Sequence, residues 1–417
     1  MSLSSPTPAS PETPASATSA PPPTAAEDDD LAVAPRWLPS PYVLLGGLLW
    51  AVLSAAAWRV PMCCEAGLNA AVVERLRSSL LHPAFPMTDL PAVASAHYSP
   101  YAVVQGLTAR ASGLSGQTVL ALSAAVNLAL LLTGIGRLAR LLTPNRWVPV
   151  LALVPLGLIH WADPGRWSAP GTFAVAVTLH LWAWTGHAVT RLPRPGSGHP
   201  PGRAPRWAET AGIGVLLGLV LLVHPPTALG AALGVVALVA VKQRTRIRPT
   251  LRRWALAGLC AVAVAAVWPY YNGLTVEKAP VPGGAATRPE TGGAPVTGEP
   301  YTWATAHVPP GEVVLTDSVP AMYALAGHGA FLLADGVPDA GLPAAERRAR
   351  SRAVATYLDA ATPQEERDRI AGRYGVRWVL LTRFQKLPGD ASVLAYSPRT
   401  GEVLARVPER RGLGPER

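Results

Sequence analysis

Carboxylates are scarce across the apolar part of this 417-residue chain, and an ionisable group beside an apolar run is a natural candidate for chemistry. Four of them, Glu65, Glu74, Asp89 and Asp163, stand in segments that separate apolar runs. Glu65 lies seven residues past Trp58, at the edge of the first run. Partial desolvation there would raise its pKa and suit it to general-base work; the plainer reading is a solvated loop carboxylate. The same two readings apply to Glu74 and Asp89. Asp163, in His160-Trp161-Ala162-Asp163-Pro164, either holds a ligand or caps the turn ahead of the next run.

His224 stands before Pro225-Pro226, where it would bind a phosphate or a metal, or simply complete a turn. His97, Tyr98 and Tyr101 border an apolar stretch and would meet a lipid headgroup, or only anchor the chain at an interface. Arg59, Arg110 and Arg166 are phosphate candidates, because each is basic on the side of the membrane that a positive-inside bias depletes. Cys63, Cys64 and Cys260 are too few and too poorly spaced for a disulfide framework or a zinc site. Gly134-Ile135-Gly136 ends an apolar run instead of joining strand to helix, so it fails as a dinucleotide fingerprint. The chain has neither a Walker A motif nor His-Glu-x-x-His.

The elements that would position these groups follow from composition. Hydrophobic residues make up 49% of the chain, charged residues only 15%, and the mean hydropathy is +0.24. The net charge of +10 is concentrated before residue 271, which points to membrane topology rather than to nucleic-acid binding. Seven apolar runs, at residues 40–58, 118–135, 148–161, 168–189, 210–223, 227–241 and 254–270, read as spans. The clusters Arg191 to Arg206 and Lys242 to Arg253 flank residues 210–241, and keeping both inside requires two spans there. The fold class expected is therefore a polytopic α-helical membrane protein of about seven transmembrane helices, N-terminus in and C-terminus out, followed by a small external α/β domain. Residues 1–36 read as a disordered cytoplasmic tail and 37–271 as the transmembrane domain. Residues 59–116 form its long first external loop, in which 98–114 is an interfacial helix.

Past residue 271 a linker rich in Pro, Gly and Thr extends over 272–300, the external domain over 301–408, and a disordered tail over 409–417. Within the domain, strands are expected at 313–316, 330–333 and 378–382, helices at 344–360 and 363–374, and a hairpin of 393–396 with 403–407. Asp317-Ser318 with Pro320 reads as a helix cap and first turn. Arg347, Arg348, Arg350 and Arg352 read as a solvated helix face.

With these elements placed, several segments look like those of the C-type (GT-C) membrane glycosyltransferases. They are His97-Tyr98-Ser99-Pro100-Tyr101, Leu107-Thr108-Ala109-Arg110 with Gly113-Leu114-Ser115, His224-Pro225-Pro226-Thr227 and Trp268-Pro269-Tyr270-Tyr271. Gly311-Glu312-Val313-Val314-Leu315 and Tyr374-Gly375-Val376-Arg377-Trp378-Val379 are similar to the C-terminal domains of bacterial relatives. The resemblance covers roughly residues 40–382 and is architectural first: a signal-anchor span, a long first loop with an acid near its start, and a polar external domain.

The resemblance implies transfer of a sugar from a polyprenyl-phosphate donor to an envelope glycan or protein acceptor, on the outer face of the cell membrane. Glu65 would be the catalytic base. Arg59, Arg110, Arg166, Asp163, His224 and Tyr98 would bind substrate, a divalent cation would be the one cofactor to consider, and membrane lipid would be a partner. Family members often carry an acidic pair, whereas Glu65 follows Cys63-Cys64 alone. That departure keeps open an alternative, a non-catalytic integral membrane scaffold with a partner-binding external domain. A transporter is disfavoured, since the runs hold almost no ionisable residues at mid-depth.

Overall fold

The computed structural model describes residues 40–60, 64–92, 95–162, 164–190, 207–242, 247–271, 301–336, 339 and 341–408. The expected tails 1–36 and 409–417, the 272–300 linker, Cys63 and Asp163 lie outside them. Helices dominate the first part: α1 (Pro41–Ala57), α2 (Cys64–Ser78), α3 (Pro100–Ser112), α4 (Gly116–Leu142), α5 (Val148–Leu151), α6 (Val154–Ala162), a 3-10 turn at Pro164–Ser168, α7 (Pro170–Thr190), α8 (Trp207–Val223), α9 (Pro225–Lys242) and α10 (Ile247–Val267). The second part holds α11 (Thr302–Thr305), β1 (Val313–Leu315), α12 (Val319–Gly327), β2 (Phe331–Leu332), α13 (Ala344–Leu358), α14 (Gln364–Tyr374), β3 (Val376–Leu381), β4 (Ser392–Tyr396) and β5 (Val403–Arg406).

The seven-span expectation is corrected by these helices. Among the described residues only α4 is long and apolar enough to cross a membrane. Run length misled because an apolar run is not a helix of equal length. Residues 148–161 break into α5 and α6, with Pro149 and Pro155 at the helix starts. In α10, Arg248, Arg252 and Arg253 occupy the first turns and leave the apolar stretch Trp254–Val267, about 21 Å at 1.5 Å per residue against about 30 Å of hydrocarbon. The 17-residue helix α8 reaches only about 26 Å. His224 and the prolines divide α8 from α9, so two helices rather than one do form there.

In the helical part, α4 packs along α7, α7 along α9, and α8 along α10. Asn127 on α4 is fully buried and donates through Nδ2 to the Tyr101 hydroxyl (2.8 Å) and the Trp167 carbonyl (2.9 Å), which ties α4 to α3 and to the 3-10 turn. Trp167 is 2% exposed, in the core beside Leu53 and Leu128. The helix expected at 98–114 forms as α3: Ser99 caps it by accepting from the Ala102 N–H, and Gly113 ends it at φ +73°. Its inner face, Ala102, Gly106 and Ala109, is buried, while Val104 and Leu107 stay outside.

The second part is a three-layer α/β arrangement. The sheet order is β2-β1-β3-β5-β4, with β2, β1 and β3 parallel and the β4/β5 hairpin antiparallel. Alternate residues face opposite layers. Val314, Leu332, Trp378, Leu380 and Leu404 meet α12, whereas Leu315, Leu333, Val379 and Leu381 meet α13 and α14 through Val354, Tyr357 and Ile370. A sheet buried on both faces explains the unbroken apolar runs Val313–Leu315 in β1 and 378–381 in β3.

The two parts meet where α2 lies on α12. A Cβ added to Gly67 would come within 2.5 Å of the Tyr323 carbonyl oxygen, and one added to Gly327 within 3.1 Å of the Gly67 carbonyl. Only glycine lets these backbones approach so closely. One α2 residue reaches further: Arg75, 4% exposed, donates to the carbonyls of Gly329 (2.8 Å), Ala330 (2.6 Å) and Pro86 (3.3 Å), with its guanidinium 3.6 Å above the Phe331 ring. Burial pulls that guanidinium down to about 10, against the opposing pull of Tyr98, Glu74 and Asp89.

Replacing Arg75 by Met keeps volume but strands three carbonyls, and charged hydrogen bonds are worth about 1.5–3 kcal/mol each. Arg75→Met is therefore expected to destabilise the protein by about 3 kcal/mol or more. Chemical denaturation checks this; a loss under about 1 kcal/mol would show that the contact is not structural.

Candidate functional site

The docking of α2 brings the acid expected to do chemistry against the α/β part. Glu65 is the second residue of α2, exposed in its first turn, where the helix dipole favours a negative charge. Its charge is felt by His97, which sits in the turn before α3. The imidazole Nε2 of His97 lies 4.0 Å from Asp339 Oδ2, and their side chains are 34% and 7% exposed. Asp339 is held from three sides. Ser95 Oγ donates to its Oδ2 (2.7 Å), the Gly341 N–H to its Oδ1 (2.8 Å), and the Leu342 N–H to its carbonyl (3.1 Å). The arm between α2 and α3 and the segment between β2 and α13 thus build one cluster from opposite ends of the sequence.

Asp335 completes it. Burial, reinforced by the neighbouring Asp339 charge, pushes its carboxyl up to about 7, and Arg350 and Arg347 only partly oppose this. Its Oδ1 is buried without a hydrogen-bond partner among the described residues. Burial lowers the His97 imidazole from its ordinary value, while Asp339 and Glu65 act in the other direction. A carboxyl that titrates near neutrality and a histidine beside one carboxylate and in the field of a second form an acid–base constellation.

Other acids resolve into structure. Asp89 pairs with Arg350 at 2.8 Å, and Arg350 also binds Glu346 at 2.8 Å. Arg350 was expected on a solvated face; instead it is 5% exposed. Burial works against its charge, yet the Glu346 and Asp89 carboxylates outweigh it and hold the pKa above its ordinary value. Glu74 accepts from the Gly116 N–H (2.5 Å) at the start of α4 and pairs with Arg77 (3.3 Å).

The candidate substrate residues are dispersed. Arg59 is exposed just after α1, Arg110 is exposed on α3, and Arg166 is exposed on the 3-10 turn. His224 stands between α8 and α9, its Nδ1 2.7 Å from Thr227 Oγ1 and its ring facing Gly171. Tyr98, expected to touch substrate, is 1% exposed: its hydroxyl donates to the Ala84 carbonyl and its carbonyl accepts from Trp268 Nε1 (2.9 Å). Burial lifts its phenol above the ordinary value. It packs the arm rather than meeting a ligand. Sequence reading missed Ser95, Asp335 and Asp339, although the spacing Asp335-x-x-x-Asp339 next to a strand was visible.

Among the described residues no group of three or more His, Cys, Asp or Glu side chains is placed to hold a metal ion. Comparison with protein-family models, with curated proteins and with solved structures finds no match for this chain.

The Asp335 shift has a definite sign. Its folded-state pKa of about 7 lies above the ordinary 3.8, so its stabilising contribution is complete below that ordinary value and lost as pH rises to about 7. Stability measured by urea unfolding is expected to decline across this window in the wild type, and Asp335→Asn to remove that part of the slope. Equal slopes in the two proteins would contradict the assignment.

Proposed function

We propose that the chain is a glycosyl-transfer enzyme whose acid–base centre is the junction of Glu65, His97, Asp335 and Asp339. The observation that carries this reading is the approach of His97 Nε2 to within 4.0 Å of Asp339 Oδ2, with the imidazole also in the field of Glu65 from α2. The substrate class, a sugar on polyprenyl phosphate passed to an envelope glycan or protein acceptor at the cell membrane, is supported by the likeness of the sequence phrases and by exposed apolar side chains on α1. Those side chains include Leu44, Leu48 and Val52, which a lipid would cover. The C-terminal part would then face the outside of the cell.

In the transfer step Glu65 takes the proton of the acceptor hydroxyl, and the acceptor oxygen bonds to the anomeric carbon. The bond from that carbon to the phosphate oxygen breaks, and its electron pair leaves with the phosphate. His97, 4.0 Å from Asp339, donates a hydrogen bond to the departing phosphate.

A second reading has one observation in its favour. The edge strand β4 exposes Val393, Leu394 and Tyr396, a surface to which a partner strand could add, and this suits a non-catalytic scaffold. Assay of sugar transfer from a polyprenyl-phosphate donor separates the two. Glu65→Gln is expected to lower kcat by about 100-fold or more with KM changed less than about threefold. Undiminished transfer by this variant would refute the acid–base assignment, and a wild-type protein with no transfer at all would favour the scaffold.

A further inference from the structure

The strand order places a second polar cluster far along the chain from the junction. β1 is followed by α12 and β2 on one side, while β3 pairs on the other side of β1, so the chain reverses its direction of winding between β1 and β3. In open α/β sheets, ligands bind outside the carboxyl ends of the strands at such a reversal. Here those ends carry Thr316-Asp317-Ser318 after β1 and Thr382-Arg383-Phe384-Gln385 after β3.

The two ends are fastened to each other. Gln385 Nε2 donates to Asp317 Oδ2 (2.7 Å), and Gln385 Oε1 accepts from the Thr382 N–H (2.8 Å). Behind them Ser318 and Tyr301 hydroxyls donate to Glu402 Oε1 at 2.9 and 3.0 Å. The Arg383 stem lies on the hairpin turn at Gly401, which has φ +71°, and its guanidinium stands 5.7 Å from the Phe384 ring. Phe384 itself is 90% exposed, the most exposed large apolar side chain among the described residues.

A bare aromatic ring on a rigidly bonded turn, bordered by an acid, an amide and a guanidinium, presents one flat apolar face with hydrogen-bonding groups at its rim. The apolar face of a single sugar ring matches it, with the ring hydroxyls reaching Asp317, Gln385 and Arg383. A nucleotide fits less well. The turn into α12, Thr316 to Pro320, has no glycine, Pro320 contributes no N–H, and the exposed Asp317 carboxylate at this helix start repels an anion. We infer that the C-terminal edge of the sheet, at Asp317, Arg383, Phe384 and Gln385, binds a neutral sugar ring. This surface is independent of the acid–base reading of the junction and does not require it.

The test uses the full chain in mild detergent, passed over immobilised neutral oligosaccharides of glucose, mannose, galactose and arabinose, with uridine monophosphate as an anionic ring probe. Retention on at least one neutral oligosaccharide is expected. Phe384→Ala and Asp317→Asn should each weaken it at least about tenfold, while the melting temperature, followed in parallel, changes little because Phe384 is exposed and Asn keeps an oxygen for the Gln385 amide. Phe384→Trp should retain binding. Absence of retention on every neutral oligosaccharide, equal retention by Phe384→Ala, or preference for uridine monophosphate would each overturn the inference.

Discussion

The close contact of α2 with α12 is the constraint on which the rest of the structure depends. Gly67 and Gly327 remove the side chains that would keep these helices apart, and Arg75 then inserts a buried guanidinium among backbone carbonyls that follow α12. The consequence for α12 is total enclosure: Ala321 to Gly327 are all buried between the sheet and α2. A helix made largely of alanine, leucine and glycine has little amphipathic character of its own, and it is stable here because apolar surface meets it on two sides.

Everything proposed for the junction is a result of that contact. Met87 accepts from the Leu332 N–H at the edge of β2, Asp89 reaches Arg350 on α13, and Ser95 reaches Asp339. The arm between α2 and α3 is thereby laid across the edge of the sheet, and His97 is delivered to a pair of acids. A buried carboxyl beside another acid would be costly in a purely structural role. In an acid–base role the same environment is what brings the proton affinity of Asp335 near neutrality.

Local signals were legible in the sequence where local physics decides the outcome. Short apolar runs marked β1 and β3, a turn at 398–401 marked the hairpin, and the predicted helices 344–360 and 363–374 fall on α13 and α14. Ser318 does precede α12, but its hydroxyl goes to Glu402 instead of capping the helix. Long-range outcomes were not legible. Asp339 and Ser95 are 244 residues apart, and no spacing rule joins them. Arg350 reads like its neighbours on a charged helix until Asp89 arrives from the arm. Apolar run length overstated the spans for a related reason: prolines and early arginines decide where a helix starts, and burial against neighbouring helices absorbs apolar surface that a membrane would otherwise cover.

Amide hydrogen exchange reports on the central contact most directly, because it reads α2 and α12 separately in the intact chain. If the two helices stabilise each other through Gly67, Gly327 and Arg75, peptides covering 64–78 and 319–327 will both be strongly protected in the wild type and will lose protection together in the Arg75→Met protein. Rapid exchange of α2 in the wild type while α12 stays protected would contradict the account, since α12 would then be enclosed without the arm.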